Sequence, residues 1–279
     1  MNARPSIAAM PLYTNLDRVA RGLAAIGIGA ADPIPPEKLF GLDQWHYHGI
    51  DAIRAAAETL HLGPESNVLD IGSGIGGPAR YLAHTTGCRV TAVELQADLH
   101  TIAVDLTQRS GMARRVTHVL GDALTVPLPD ATFDAAVSWL ALLHIPNRPL
   151  MCTRMAQALK PGGGCYIEDL CERAPFAAPD LRDLREVVYG ISVTSSADYV
   201  RDLQRAGFAE VAPADLTGDW APFAQTRLAA WRANHAAYAS VHGEGAYAAQ
   251  ERFYTVIAHL YETGSLGGIR LVASTPHAT

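Results

Sequence analysis

Lysine is nearly absent from this chain of 279 residues: Lys38 and Lys160 are the only two. Arginine supplies the remaining positive charge, no basic run forms, and 22 basic against 28 acidic residues leave a formal charge of −6. That balance argues against the electrostatic footprint of a nucleic-acid binder. Cysteine is scarce as well. Cys88, Cys152, Cys165 and Cys171 make no C-x-x-C pair and no Cys/His spacing suited to zinc, so no metal centre is expected and the thiols read as buried and reduced. No apolar run approaches the roughly 18 residues that would span a membrane. The N-terminal MNARPSIAAMPLYTNLDR lacks the apolar core of a signal peptide. These absences together point to a reducing cytoplasm.

Glycine, by contrast, is concentrated where it counts, in residues 67–83, NVLDIGSGIGGPARYLA. The apolar run Asn67 to Ile71 predicts a buried parallel strand. Gly72-Ser73-Gly74-Ile75-Gly76-Gly77 predicts a turn, and Pro78 to His84 a helix whose first turn tolerates proline. Such a strand–turn–helix holds a small polar ligand at the carboxyl end of the strand. Gly72, Gly74 and Gly77 satisfy G-x-G-x-x-G, the dinucleotide spacing. Asp70 opposes that reading, because a carboxylate there repels a pyrophosphate. It suits a ligand with a positive group, such as the ammonium on the amino-acid tail of S-adenosylmethionine (SAM). Glu94 closes the next apolar run, CRVTAVEL, and can accept two ribose hydroxyls, a feature both ligand classes share.

VLDIGSGIGG, AVEL, GDALTVPLPDATFDAAVS and LKPGGGCYIED follow one another between residues 67 and 170. In that order they resemble the class I SAM-dependent methyltransferases. The competing readings are a dehydrogenase and a glycine-rich α/β domain without cofactor. The resemblance implies an α/β, Rossmann-like, doubly wound sheet of seven strands with the last strand antiparallel, and SAM as cofactor. It implies cofactor contacts from Asp70, Gly72, Ser73, Gly74 and Gly77, from Glu94 and Leu95, from Gly121, Asp122 and Ala123 beside the adenine, and from Tyr47 and Trp139. Asp122 has a plainer reading as an Asx-type turn residue.

The rest of the chain arranges itself around this core. Residues 1–62 are expected to form an N-terminal helical lid, with helices over Leu12 to Ile28 and Ile50 to Leu62. The aromatic–histidine stretch Trp45 to His48 either packs those helices or covers the cofactor, with Gln44, Tyr47 or His48 hydrogen-bonding its tail or the substrate. Residues 63–216 form the SAM-binding core, with further strands at Arg89 to Glu94, Arg115 to Leu120, Phe133 to Trp139, Cys165 to Asp169 and Phe208 to Leu216. Lys160 to Gly164 reads as a tight turn into the fifth strand of the chain, Cys165 to Asp169. Asn147, where the family often has an acid, reads as a helix N-cap. Residues 217–266 form a helical insertion, in helices over Phe223 to Val241 and Ala246 to Glu262. Residues 267–279 hold the last strand, Ile269 to Ala273, and a tail. The insertion's apolar faces are core packing or the roof of a substrate pocket.

GIGGPARYLA, the aromatic lid and the insertion resemble the branch that holds sarcosine/dimethylglycine N-methyltransferases and sterol or prenyl-diphosphate C-methyltransferases. Methyl transfer to a small molecule is therefore expected, first to an amine or amino-acid nitrogen. The alternatives are C-methylation of an isoprenoid or other apolar metabolite, and a non-catalytic module that keeps the fold. His144 is the expected base or substrate anchor, and Glu168 and Asp169 are expected near the nucleophile. Strand alternation sends those two acids to opposite sides, so only one should face the pocket. Arg182, Arg185 and Arg201 are candidates for holding a substrate carboxylate. The expected partner is a small-molecule substrate, with no nucleic acid and no membrane; a homodimer is allowed.

Overall fold

The computed structural model describes residues 18–278. In chain order the elements are α1 (Arg18–Ala25), α2 (Pro36–Leu39), α3 (Ile50–Thr59), β1 (Asn67–Ile71), α4 (Gly77–Thr86), β2 (Arg89–Glu94), α5 (Ala97–Arg109), β3 (Val116–Leu120) and β4 (Phe133–Trp139). After a 3-10 turn at Leu142–His144 come α6 (Arg148–Ala158), β5 (Leu159–Glu172), α7 (Ala178–Glu186), α8 (Ser196–Arg205), β6 (Glu210–Asp215), α9 (Thr217–Ala233), α10 (His235–His242), α11 (Glu244–Glu262) and β7 (Leu266–Ser274).

The strands form one seven-stranded sheet in the order β3-β2-β1-β4-β5-β7-β6. β1 to β5 are mutually parallel, and β7 runs antiparallel to both β5 and β6. Alternation along β1 explains the two layers. Val68 packs with Ile53 of α3 and Leu82 of α4 on one face, while Leu69 packs with Met155 of α6 and Leu203 of α8 on the other. A parallel sheet covered on both faces needs such continuous apolar strands. Strand order reverses between β1 and β4, and ligands of open α/β sheets bind outside the carboxyl ends at that switch point.

The expected antiparallel last strand is present. Asn147 caps α6 as read, its side chain accepting the Leu150 N–H at 3.2 Å. Other expectations need correction. Lys160 to Gly164 is not a turn before the fifth strand: β5 already begins at Leu159, and the glycines make an irregularity inside it, where the register with β4 shifts between Phe133 and Ala135. The insertion's first helix starts at Thr217 and breaks at Asn234, giving two helices where one was expected. The N-terminal helix is seen from Arg18; the part expected from Leu12 lies outside the described residues.

A third apolar cluster sits above the strand ends. There Trp220 of α9 and Ile257 and Leu260 of α11 pack on Leu143 and Leu170. The insertion is thus seated on the loop after β4 and the end of β5.

Candidate active site

A cavity of about 1090 Å³ opens at the carboxyl ends of β1, β2 and β4, beneath residues 41–47 and helices α9 to α11. Tyr47, Asp70, Gly72, Ser73, Gly74, Gly77, Glu94, Leu95, Gly121, Asp122, Ala123 and Trp139 all line it, and so does His144. The described residues contain no His/Cys/Asp/Glu cluster suited to a metal ion.

The glycines of the turn do different jobs. Gly74 has φ +55 and open space where a side chain would go, so it presents bare backbone. A Cβ on Gly77 would lie 2.2 Å from the Asp43 carbonyl oxygen, and one on Gly72 would lie 2.3 Å from the Ala141 Cβ. Those two glycines admit neighbouring chain, the lid segment and the loop after β4.

Asp70 and Glu94 are both buried beside this turn. Glu94 accepts the Gly74 N–H through Oε2 and the Gln96 N–H through Oε1, each at 2.8 Å, which fixes the shape of the turn. Asp70 Oδ2 has no partner. Burial, with the nearby Glu94 charge adding to it, pushes the Asp70 carboxyl up to about 7. Ser73 Oγ, Gln44 Oε1 and Trp139 Nε1 are likewise buried without partners. Leaving a buried polar group unsatisfied costs about 1–3 kcal/mol. So many around one cavity mark a seat for a polar ligand with its own donors and acceptors. Asp122 does make the Asx turn, Oδ1 accepting the Leu124 N–H at 2.9 Å, and its exposed side chain still reaches the cavity.

Beyond Trp139 the cavity becomes a chamber. His144 Nδ1 lies 2.9 Å from the Tyr189 carbonyl oxygen. A carbonyl only accepts, so Nδ1 carries the proton and the lone pair is on Nε2. Burial lowers this histidine to about 4, which keeps the ring neutral. Tyr189 holds a positive φ of 59°, and Leu140, also in the wall, one of 51°. Such backbone costs about 1–3 kcal/mol and gathers at functional sites.

The two acids do not join His144. They point to opposite sides of β5 as alternation requires, but neither lines the cavity. Glu168 is held by the Tyr166 hydroxyl at 2.7 Å and by Arg270 Nη2 at 2.9 Å, Arg270 being its register partner on β7. Asp169 accepts the Tyr199 hydroxyl at 2.8 Å and the Leu170 N–H at 2.8 Å. Both carboxylates are consumed by the core, which corrects the expectation that one stands near a nucleophile.

The roof closes from two sides. Tyr47 stacks on Trp220 of α9, with centroids 4.2 Å apart and planes 4° from parallel. His48 Nε2 lies 2.9 Å from Asp219 Oδ2. Arg182, Arg185 and Arg201 stay outside, Arg201 pairing with Asp198. Arg227 of α9 lines the chamber instead. Sequence reasoning missed it, as it missed Asp43 and Arg80. The signal for Arg227 was its place one turn from Phe223 and one from Trp231, on a single helix face.

Comparison with known proteins agrees with this geometry. The model of the methyltransferase domain family matches residues 68–163. Phosphoethanolamine N-methyltransferase of Triticum aestivum is 30% identical over 193 residues, covering 69% of this chain and 38% of that protein. Sarcosine/dimethylglycine N-methyltransferase of Halorhodospira halochloris is 28% identical over 172 residues, covering 60% and 62%. The chain therefore spans less than two thirds of either relative. The structure of Haemonchus contortus phosphoethanolamine N-methyltransferase 2, solved with phosphomonomethylethanolamine and S-adenosylhomocysteine, superimposes with a TM-score of 0.77 at 17% identity, covering 95% of this chain and 60% of that one. Residues 68–163 of this chain thus match the methyltransferase domain family, within a chain that has the Rossmann-like methyltransferase fold.

Proposed function

We propose that the chain is a SAM-dependent methyltransferase of a small-molecule acceptor, most directly an amine or amino-acid nitrogen. One observation carries this reading. The partnerless Asp70 Oδ2 and the bare Gly74 backbone stand at one end of a cavity that continues into a roofed chamber holding a neutral His144.

The residues present fit the cofactor. Asp70 answers an ammonium, the lone pairs Glu94 has left answer ribose hydroxyls, and Asp122 answers the adenine amino group. Bound there, SAM supplies a methyl group on a sulfonium, already activated for in-line displacement. The chain's own contribution is to align the acceptor and keep water out, which is worth up to roughly 7–11 kcal/mol in favourable cases. An amine acceptor is protonated at neutral pH, so a base is needed. A neutral ring with its lone pair on Nε2 makes His144 the base or the hydrogen-bond anchor for that acceptor.

The chamber also favours a second reading. Phe223, Trp231, Phe253 and Tyr254 give it aromatic walls suited to an apolar acceptor and C-methylation. A non-catalytic module that keeps the fold would fail to bind SAM. Four free, buried cysteines are consistent with the reducing cytoplasm proposed as its compartment.

Isothermal titration with SAM and with S-adenosylhomocysteine tests the cofactor reading. Micromolar binding is expected, weakened about tenfold or more in Glu94→Gln. No binding of either compound would remove the proposal. Transfer of labelled methyl to amines against isoprenoids then separates the two chemistries.

A further inference from the structure

We infer that the methyl acceptor carries an anionic group, carboxylate or phosphate, and that Arg227 holds it. The inference rests on the methyltransferase reading and narrows its substrate. Charge is divided along the cavity. The cofactor end is acidic, with Asp70, Glu94 and Asp122 in its wall. In the chamber the half-buried Arg227 has its guanidinium 5.1 Å from the Phe223 ring centre and 6.0 Å from that of Tyr254. Among the described residues it forms no ion pair and no hydrogen bond. Glu186 of α7 also lines the cavity but makes no ion pair with it.

The other arginines of the wall are engaged. Arg18 lies 4.0 Å over the Trp45 ring, and Arg252, largely exposed, reaches Asp183 at 3.7 Å. The Arg227 charge adds to the lowering of His46, after the larger effect of burial. A guanidinium laid on aromatic faces keeps its planar fork free, and that fork matches a carboxylate or phosphate with two parallel hydrogen bonds. Arg227 and His144 line one chamber, so an acceptor can offer an anion to the first and a nucleophile to the second.

The test uses the full chain saturated with S-adenosylhomocysteine, in wild-type, Arg227→Met and Arg227→Lys forms. Two pairs of probes are titrated: phosphoethanolamine against ethanolamine, and sarcosine against its methyl ester. Wild type is expected to prefer the anionic member of at least one pair by about tenfold or more, and the preferred pair tells phosphate from carboxylate. Arg227→Met should lose the preference and Arg227→Lys keep part of it, with S-adenosylhomocysteine binding unchanged in both. No preference in the wild type, or one that survives in Arg227→Met, overturns the inference while leaving the cofactor reading intact. Failure of wild type to bind S-adenosylhomocysteine overturns both.

Discussion

Asp43 and Arg80 form an ion pair inside the protein, Oδ2 to Nη2 at 2.8 Å, with both side chains wholly buried. They lie 37 residues apart and join the lid segment to the helix that follows the glycine turn. Arg80 Nη1 also donates to Thr107 Oγ1 at 3.1 Å, which ties the same point to α5. The cover of the cavity is therefore anchored at its base.

Removing one partner of a buried pair leaves a charge without compensation and costs about 3–5 kcal/mol. Arg80→Met should lower the unfolding free energy obtained from urea titration by that amount. The double variant Asp43→Leu, Arg80→Met should recover much of the loss. A double variant no more stable than the single one would show that the pair's worth lies elsewhere.

Gly77→Ala and Gly74→Ala should separate. The first drives a methyl group against the Asp43 carbonyl and must displace the lid backbone. It should weaken SAM binding about tenfold or more and speed hydrogen exchange in residues 41–47. The second meets no protein atom, so it should leave exchange in residues 41–47 unchanged. Its left-handed backbone penalty of about 1–2 kcal/mol and a methyl group on the bare face of the turn should weaken SAM binding. Equal exchange in the two variants would deny the lid contact its role.

SAM affinity should depend on pH through Asp70. In the free protein that carboxyl is pushed up to about 7, and an ammonium favours its ionised form. Affinity should rise as pH rises toward 7 and then level off, with a slope below 7 of at most about tenfold per unit. Asp70→Asn should bind weakly and without that slope. The stability of the free protein has the opposite sign. A carboxyl raised in the folded state stabilises it below the unfolded value of 3.8, and the contribution is lost as pH rises through about 7. Titrations across pH 5.5 to 8.5 in wild type and Asp70→Asn check both.

His144→Ala should lower kcat/KM by about a hundredfold to ten-thousandfold if it takes the acceptor's proton. Its own acid limb belongs near pH 4, well separated from the limb near 7 that Asp70 imposes. Glu168→Gln and Asp169→Asn should instead act on stability, because each carboxylate is held by core partners. An unchanged kcat/KM in His144→Ala would leave alignment as the whole mechanism.

How much of this was readable follows from the range of each interaction. The strand–turn–helix and the capping by Asn147 are local patterns, and the structure places them as expected. Alternation along β5 correctly sends Glu168 and Asp169 to opposite faces. It cannot reveal that Arg270, 102 residues on, waits across the sheet for one of them. The pairing of Asp43 with Arg80 was hidden for the same reason. Arg182 and Arg185 invited a binding role by charge alone, and only packing shows that α9 instead brings Arg227 into the cavity wall.

The insertion leaves the sheet after Asp215 and returns at Leu266, and Asp215 pairs with Ile269 across neighbouring strands. Its two ends are therefore fastened at almost one spot on the sheet, as the ends of a short hairpin would be. Closing a longer loop costs only about 0.6 kcal/mol per doubling of its length. Excursions of very different size can hang from that spot with little effect on the strands beneath. The part of the molecule that would meet the acceptor is thus free to diverge, while the part that would hold the cofactor stays as it is.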